Sequence, residues 1–417
     1  MSVWPHKTLL QAPLQIIDGD RGKNYPSKKD LLDDGHCLFL NAGNVTSNGF
    51  VFSETMFIDK ERDQLLRKGK LQRGDVLLTT RGTVGNAAYY GDDVDFEHVR
   101  INSGMVILRT NADQLNARFI YFLLRSGLFS NQVKALTTGS AQPQLPIRDM
   151  VRISMPIPPI YEQVKIVSVL SALDDKIENN RRMNQTLEEM ARAIFKSWFV
   201  DFDPVHAKAT GNAPAHMDAE TAALFPSSFG DDGLPVGWRK GRLDEVLVLQ
   251  RGFDLPTKQR IAGPFPVFSA GGLHGSHIEY KVKGPGVVTG RSGVIGNTYL
   301  IPNDFWPLNT TLWVKEFCAG GAYFSFFTLR AIDLASFNAG SAVPSLNRNH
   351  VHNYPVCIPA EKVVSVFETL SDSLFQKITA NEKENQTLAT LRDTLLPKLM
   401  SGEIRVSDAE QEVEAAV

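Results

Sequence analysis

This chain is short of the residues from which reaction centres are usually built. Its three cysteines, Cys37, Cys318 and Cys357, are scattered over 417 residues. That spacing excludes a zinc knuckle and a disulfide framework, and they read as buried thiols. No G-K-[ST] loop, H-E-x-x-H helix or G-x-S-x-G elbow occurs, so the phosphate-cradle, zinc-protease and serine-hydrolase signatures are missing. PIPPIY around Pro158 has the prolines and tyrosine of an amino-methyltransferase motif, but Ile157 stands where Asp or Asn is required. His274 and His277 lie close together without a third ligand and read as polar loop residues rather than a metal site. No catalytic or metal-binding residue is assigned.

Long apolar runs are missing too. No segment approaches the ~18 consecutive apolar residues of a membrane span, and the opening MSVWPHKTLLQ lacks the apolar core of a signal peptide. A cytoplasmic protein without membrane contact is expected. The chain also lacks an excess of one charge, since its formal net charge is −2. That value averages segments of opposite sign. Residues 1–157 carry 19 basic and 16 acidic side chains, and residues 236–358 carry 12 and 7. Residues 158–235 carry 7 and 12, and residues 359–417 carry 6 and 11. A polyanion is therefore expected to meet the basic segments, above all the second, which has seven arginines and four histidines.

What the sequence has is a duplication spanning nearly its whole length. RGKNYPSK (Arg21 to Lys28) returns as RGFDLPTK (Arg251 to Lys258) at an offset of 230. GTVGN (Gly82 to Asn86) returns as GVIGN (Gly293 to Asn297) at 211, and GSAQPQL (Gly139 to Leu145) as GSAVPSL (Gly340 to Leu346) at 201. Each glycine-rich turn is flanked by short strand-like runs, Asp75 to Thr80 with Ala87 to Tyr90 and their counterparts from Gly286 to Leu300. Each is followed by a short helical patch, ARFIYFLL at Ala117 or AYFSFFTL at Ala322, whose aromatics read as core packing, with base stacking as the lesser alternative. A proline-rich joint, MPIPPIYEQ or VCIPAEK, then opens a long helix.

The two helices share one seam. Steps of four and three select Ile166, Leu170, Leu173, Ile177, Asn180, Asn184, Leu187, Ala191, Ile194 and Trp198, a coiled-coil pattern with two asparagines at its middle. Adding 201 gives Phe367, Ser371, Leu374, Ile378, Asn381, Asn385, Leu388, Arg392, Leu395 and Leu399. Some 40 residues of helix at ~1.5 Å each make a rod of about 60 Å. Asn180 and Asn184 are expected to face Asn381 and Asn385 in an antiparallel pair and to fix its register; the alternative is asparagines exposed on a broader apolar face. Ser371 and Arg392, at seam positions held by Leu170 and Ala191 in the first helix, predict looser pairing there.

The glycine-rich turns admit three readings: a nucleotide cradle, which the glycine spacing does not favour, a backbone that approaches a groove or DNA phosphate, or a structural turn. Arginine and asparagine suit bidentate pairing with guanine and adenine edges. Such polar residues recur in loops: Arg21, Lys28, Asn44, Arg81, Asn86, Arg100 and Asn102 in the first module, and Arg251, Lys258, Arg260, Arg291, Asn297, Asn309 and Arg348 in the second. These are the candidate DNA contacts.

On RGKNYPSK, TTRGTVGN, RINSGMVILR, RGFDLPTK, RSGVIGN, the twin GSAxPxL loops, PIPPIYEQ and the duplicated helices with their NQTL, the chain resembles the specificity subunit of type I restriction-modification enzymes. The resemblance covers essentially the whole length. It implies α/β (α+β) modules, with two tandem target-recognition domains, each followed by a long helix, the helices pairing as an antiparallel coiled coil. The expected boundaries are 1–157 and 236–358 for the recognition domains, 158–199 and 359–402 for the helices, 200–235 for a linker and 403–417 for a frayed acidic tail. It further implies a non-catalytic subunit that reads a bipartite, asymmetric target in double-stranded DNA, one domain per half-site. The helices would dock two modification (methyltransferase) subunits, and through them restriction (translocase/nuclease) subunits. S-adenosylmethionine, ATP and Mg²⁺ would belong to those partners, with no cofactor in this chain. The competing reading is a coiled-coil scaffold with two protein-binding heads.

Overall fold

The computed structural model describes residues 4–139, 142–340 and 342–415. The chain divides into two compact units, one within Met1–Asn179 and Glu384–Val417, the other within Asn180–Lys383. Each long helix, Ile160–Phe199 and Glu361–Ser401, contributes one of its halves to each unit.

In the first unit an antiparallel four-stranded sheet runs in the order Leu14–Asp18, Met105–Thr110, Val76–Thr79, Ala87–Tyr89. Its central strands are apolar on both faces because both are covered. Val76, Leu78, Val106 and Leu108 point to the core shared with the helix Ala117–Arg125 and the long helices, whereas Leu77, Met105 and Ile107 point to a second cluster with Leu38, Leu40 and Tyr90. A three-stranded sheet, Phe57–Ile58, Cys37–Leu40, Val99–Ile101, supplies that second layer, and His6–Thr8 pairs with Ser154–Pro156 just before the first long helix.

The second unit repeats this topology. Its four-stranded order is Leu247–Arg251, Thr311–Phe317, Gly286–Gly290, Thr298–Ile301. Its three-stranded sheet is Gly272–His277, Phe265–Ser269, Trp306–Pro307, and Arg239–Arg242 pairs with Pro355–Ile358. The patch AYFSFFTL forms the helix Ala322–Ala331, buried over most of its length. Its aromatics, like Phe119 and Phe122 in the first unit, pack as core and are closed to base stacking.

Each module is fastened to a long helix by polar groups. Gln163, fully buried, accepts from Asn116 N at 2.8 Å and donates to the carbonyls of Gln114 and Pro158. In the second unit Glu368 accepts from Gly321 N and Phe324 N at 2.9 and 2.7 Å, a carboxylate set against the start of the helix Ala322–Ala331. Burial nevertheless pushes the Glu368 carboxyl up. Arg118 donates to Ser171 at 3.2 Å, and at the corresponding place Tyr323 donates to Asp372 at 2.7 Å.

Within each unit the helical halves run antiparallel. In the first, Asp174 meets Arg392 at 2.6 Å and Lys176 meets Glu384 at 3.3 Å. In the second, Asn184 meets Asn381, and Phe195 and Phe199 meet Phe367 with ring centroids 5.8 and 5.3 Å apart. Asn381 Nδ2 donates to Asn184 Oδ1 at 2.8 Å, and Asn184 Nδ2 donates to the Ile378 carbonyl at 3.4 Å. Asn180 and Asn381 are buried, and Asn184 and Asn385 are half-buried. Arg392 does not loosen the seam, because Asp174 accepts from both Arg392 and Arg125, the latter at 2.7 Å. Ser371 is buried.

Three expectations are corrected. The segment 200–235 is not a bare linker: it forms the helices Asp203–Ala209 and Ala219–Ala223, and Val205 and Phe225 are buried in the second unit's core beside Trp198 and Trp238. The acidic tail is helical over Val406–Glu414, because Val406, Ala409 and Val413 form one apolar stripe that packs into the first core. Of the three thiols only Cys37 is buried; Cys318 is exposed and Cys357 lies between. Burial pushes Cys37 up to about 12 and Cys357 to about 11.

Asp174 holds two guanidiniums whose side chains are 12% and 14% exposed. Asp174→Ala leaves Arg125 without its anion and Arg392 with the largely exposed Asp393 at 2.8 Å, and chemical denaturation should show a loss of about 3 kcal/mol. Asn381→Leu strands the Asn184 Oδ1 and should cost ~1–2 kcal/mol. Replacing both asparagines by leucine should recover most of that loss, as read from the same denaturation midpoints.

Candidate nucleic-acid interface

At one end of each four-stranded sheet the loops converge in the same pattern. In the first unit the amides of Thr80 and Arg81 both donate to the Gly104 carbonyl, at 2.8 and 3.1 Å. Leu145 N donates to Thr80 O at 2.8 Å, and Gly82 N to Pro143 O at 3.3 Å. In the second unit Arg291 N and Ser292 N donate to Thr310 O at 2.8 and 3.1 Å, Leu346 N to Arg291 O at 2.8 Å, and Gly293 N to Pro344 O at 2.9 Å. The GSAxPxL loops thus lie against the glycine-rich turns, although Ser140, Ala141 and Ser341 fall outside the described residues. Gly82, Gly85, Gly293 and Gly296 all have φ between +75° and +98°, a left-handed backbone that favours glycine. The turn chemistry therefore accounts for the glycines.

Strand register shows which residues correspond. Asp18 lies opposite Val106, which lies opposite Leu78; Arg251 lies opposite Leu312, which lies opposite Thr289. The structural partner of Arg251 is therefore Asp18, and the next residue in each module is glycine. A Cβ on Gly19 would stand 2.3 Å from the Asn102 carbonyl oxygen, and one on Gly252 would stand 2.3 Å from that of Leu308. Only glycine lets the chain leave the sheet so close to the neighbouring strand. The sequence match of Arg21 to Arg251 is thus displaced by three residues in space. Arg81 likewise corresponds to Ser292, while Arg291 corresponds to Thr80.

The candidate contacts divide by environment. Arg81 is exposed, and its guanidinium makes no hydrogen bond or ion pair among the described residues. Lys28, Lys258, Asn297 and Arg348 are also exposed. Arg21 is exposed and pairs with Asp18 at 3.1 Å; Arg251 is exposed and pairs with Asp254 at 3.4 Å. Arg260 is half-buried, donating to the carbonyls of Leu255 and His274, and Arg291 Nε donates to the Asn309 carbonyl at 3.0 Å. Asn309 donates its amide to Asp254.

Four residues of the first module are committed to the fold. Arg100 is 5% exposed; it binds the Asp63 carboxylate at 2.5 Å and donates to the carbonyls of Asp63, Leu66 and Lys68. Asn44 is buried and donates to the carbonyls of Val51 and Glu54. Asn86 donates to Val45 O at 3.0 Å, and Asn102 accepts from Gly104 N at 2.8 Å. Their side chains shape the loops and have little left to offer a ligand. Sequence reasoning also passed over Asp18 and Asp254, since it sought donors and amides; Asp254 stands inside the RGFDLPTK motif.

The division has a thermodynamic signature. Arg100→Ala leaves Asp63 with Lys70 at 2.6 Å and the His36 ring at 3.6 Å and should cost about 3 kcal/mol. Arg81→Ala should change stability by less than ~0.5 kcal/mol. Urea titrations of the two variants check both values.

Residues 15–189 match the family described as Type I restriction modification DNA specificity domain. The chain is 25% identical to the type I restriction enzyme HindI specificity subunit of Haemophilus influenzae, over 93% of this chain and 98% of that one. It is 27% identical to the MjaIX specificity subunit of Methanocaldococcus jannaschii, over 81% and 79%. The crystal structure of the type I restriction-modification S subunit from M. genitalium superposes with a TM-score of 0.54 at 17% identity, covering 96% of each chain, which shows the common fold. Among the described residues no helix is long and apolar enough to cross a membrane. Residues 15–189 thus carry the signature of a type I restriction modification DNA specificity domain, and the relatives to which the chain is similar along most of its length are type I restriction enzyme specificity subunits.

Proposed function

We propose that each module reads one half of a bipartite, asymmetric DNA target, and that the chain performs no chemistry itself. The observation that carries this reading is the loop cluster built twice on one backbone plan with different exposed side chains. A shared plan provides two similar docking platforms, and diverged side chains make the two half-sites unlike. The contacts fall to the exposed cations and amide: Arg21, Lys28 and Arg81 in the first module, and Lys258, Asn297 and Arg348 in the second, with Arg251, Arg260, Arg291 and Asn309 positioning the second module's loops. The long helices dock two modification subunits, which recruit restriction subunits, and their length sets the gap between half-sites. S-adenosylmethionine, ATP and Mg²⁺ belong to those partners.

Binding of the complex with modification subunits to duplex DNA should weaken steeply as salt rises, through counterion release. Arg81→Ala should weaken it at every sequence and lower the salt slope by about 1. Binding that ignores salt, or none at all, favours a protein-binding scaffold. Four residues added after Asn180, matched by four after Asn381, lengthen the rod by about 6 Å, close to two base pairs at ~3.4 Å each. Mapping modified bases should then show a longer gap between unchanged half-sites; altered half-site bases would defeat the ruler.

A further inference from the structure

The two modules carry an ion pair of opposite polarity at the same structural position. In the first, Asp18 ends the sheet strand and Arg21, three residues on, returns to it at 3.1 Å. In the second, Arg251 ends the strand and Asp254, three residues on, pairs with it at 3.4 Å. The correspondence is fixed by strand register and by the pressed glycines Gly19 and Gly252. The downstream member also touches the same neighbour in both modules: Arg21 donates to the Ser103 carbonyl at 3.4 Å, and Asp254 accepts from the side chain of Asn309. Ser103 and Asn309 are equivalent, each directly preceding the residue whose carbonyl holds the glycine-rich turn.

We propose that this downstream residue is a specificity determinant, presenting a donor to one half-site and an acceptor to the other. The proposal rests on the DNA-reading function above. Arg21 keeps 48% and Asp254 keeps 66% of its side chain exposed, so both retain hydrogen-bonding capacity beyond the pair. A carboxylate repels phosphate, so Asp254 has no use as a backbone clamp; what it can accept from is a base amino group, N4 of cytosine or N6 of adenine. A guanidinium suits O6 and N7 of guanine. Asp254 also lines an open cleft of ≈ 410 Å³ with Thr257, Arg260, His274 and Asn309, so the carboxylate faces accessible space. The upstream partner, Asp18 or Arg251, neutralises and orients the reader.

The test exchanges the polarity of one pair. Arg251→Asp with Asp254→Arg gives the second module the charge order that the first already tolerates, and thermal melting checks that the variant folds. The complex of the variant with modification subunits is expressed in cells and the modified bases are mapped across the genome. A changed base at one position of the second half-site is expected, with the first half-site and the gap unaltered. Modification of the original site should fall on the order of tenfold or more. If modification disappears altogether, selection from duplexes randomised in the second half-site decides: recovery of a new base supports the proposal, and recovery of the old site or of none overturns it. Unaltered modification of the original site, within twofold, also overturns it. If the unmutated complex itself yields no bipartite site, the broader function fails instead, and the two failures are distinct.

Discussion

A helix of 40 residues with an apolar seam has no means of stabilising itself, and the rest of the chain follows from covering it. In each unit one side of the seam is closed by half of the other long helix and the adjoining face by a short helix and a sheet. Val169, Leu170 and Leu173 are buried with Phe119 and Leu123 in the first unit, and Phe195 and Phe199 with Phe324 and Phe327 in the second. The sheets are apolar on both faces because the three-stranded layer must then cover their far side. Removing the module would expose the helix, and removing the helix would open the module's core.

Polar groups at these junctions decide alignment, since apolar surfaces slide and hydrogen bonds do not. Gln163 fits only where the start of the helix Ala117–Arg125 presents its amide, and Glu368 only where Gly321 and Phe324 do. Asp174 joins the helix of the module to both long helices through Arg125 and Arg392. A charged residue in the seam, which reads as a fault on the helix alone, is thereby matched.

Periodicity and duplication were legible because they depend on backbone geometry repeated over many residues. The strand–turn–strand around Gly82, the core helices and the long helices all follow from spacing. Fine correspondence was not legible. The RGxxxP(S/T)K repeats align by letters at 230, yet the sheet sets Asp18 against Arg251, because register is decided by pairing with a strand more than 60 residues away. Burial of charge was hidden too: Arg100 looks like any loop arginine until Asp63 is brought beside it. The stretch 200–235 looked empty because its scattered apolar residues, among them Phe202, Val205, Leu224, Phe225 and Phe229, complete a core they could not form alone.

The division of the chain has a consequence for its birth. The second unit is one unbroken stretch, whereas the first is assembled from both ends of the polypeptide. A ribosome that has finished Lys383 has synthesised everything the second unit needs. The first module is still holding a half-covered helix, with Leu170, Leu173 and Ile177 waiting for Leu388, Leu395 and Leu399. The part translated first is the part completed last, so its apolar stripe stays open longest.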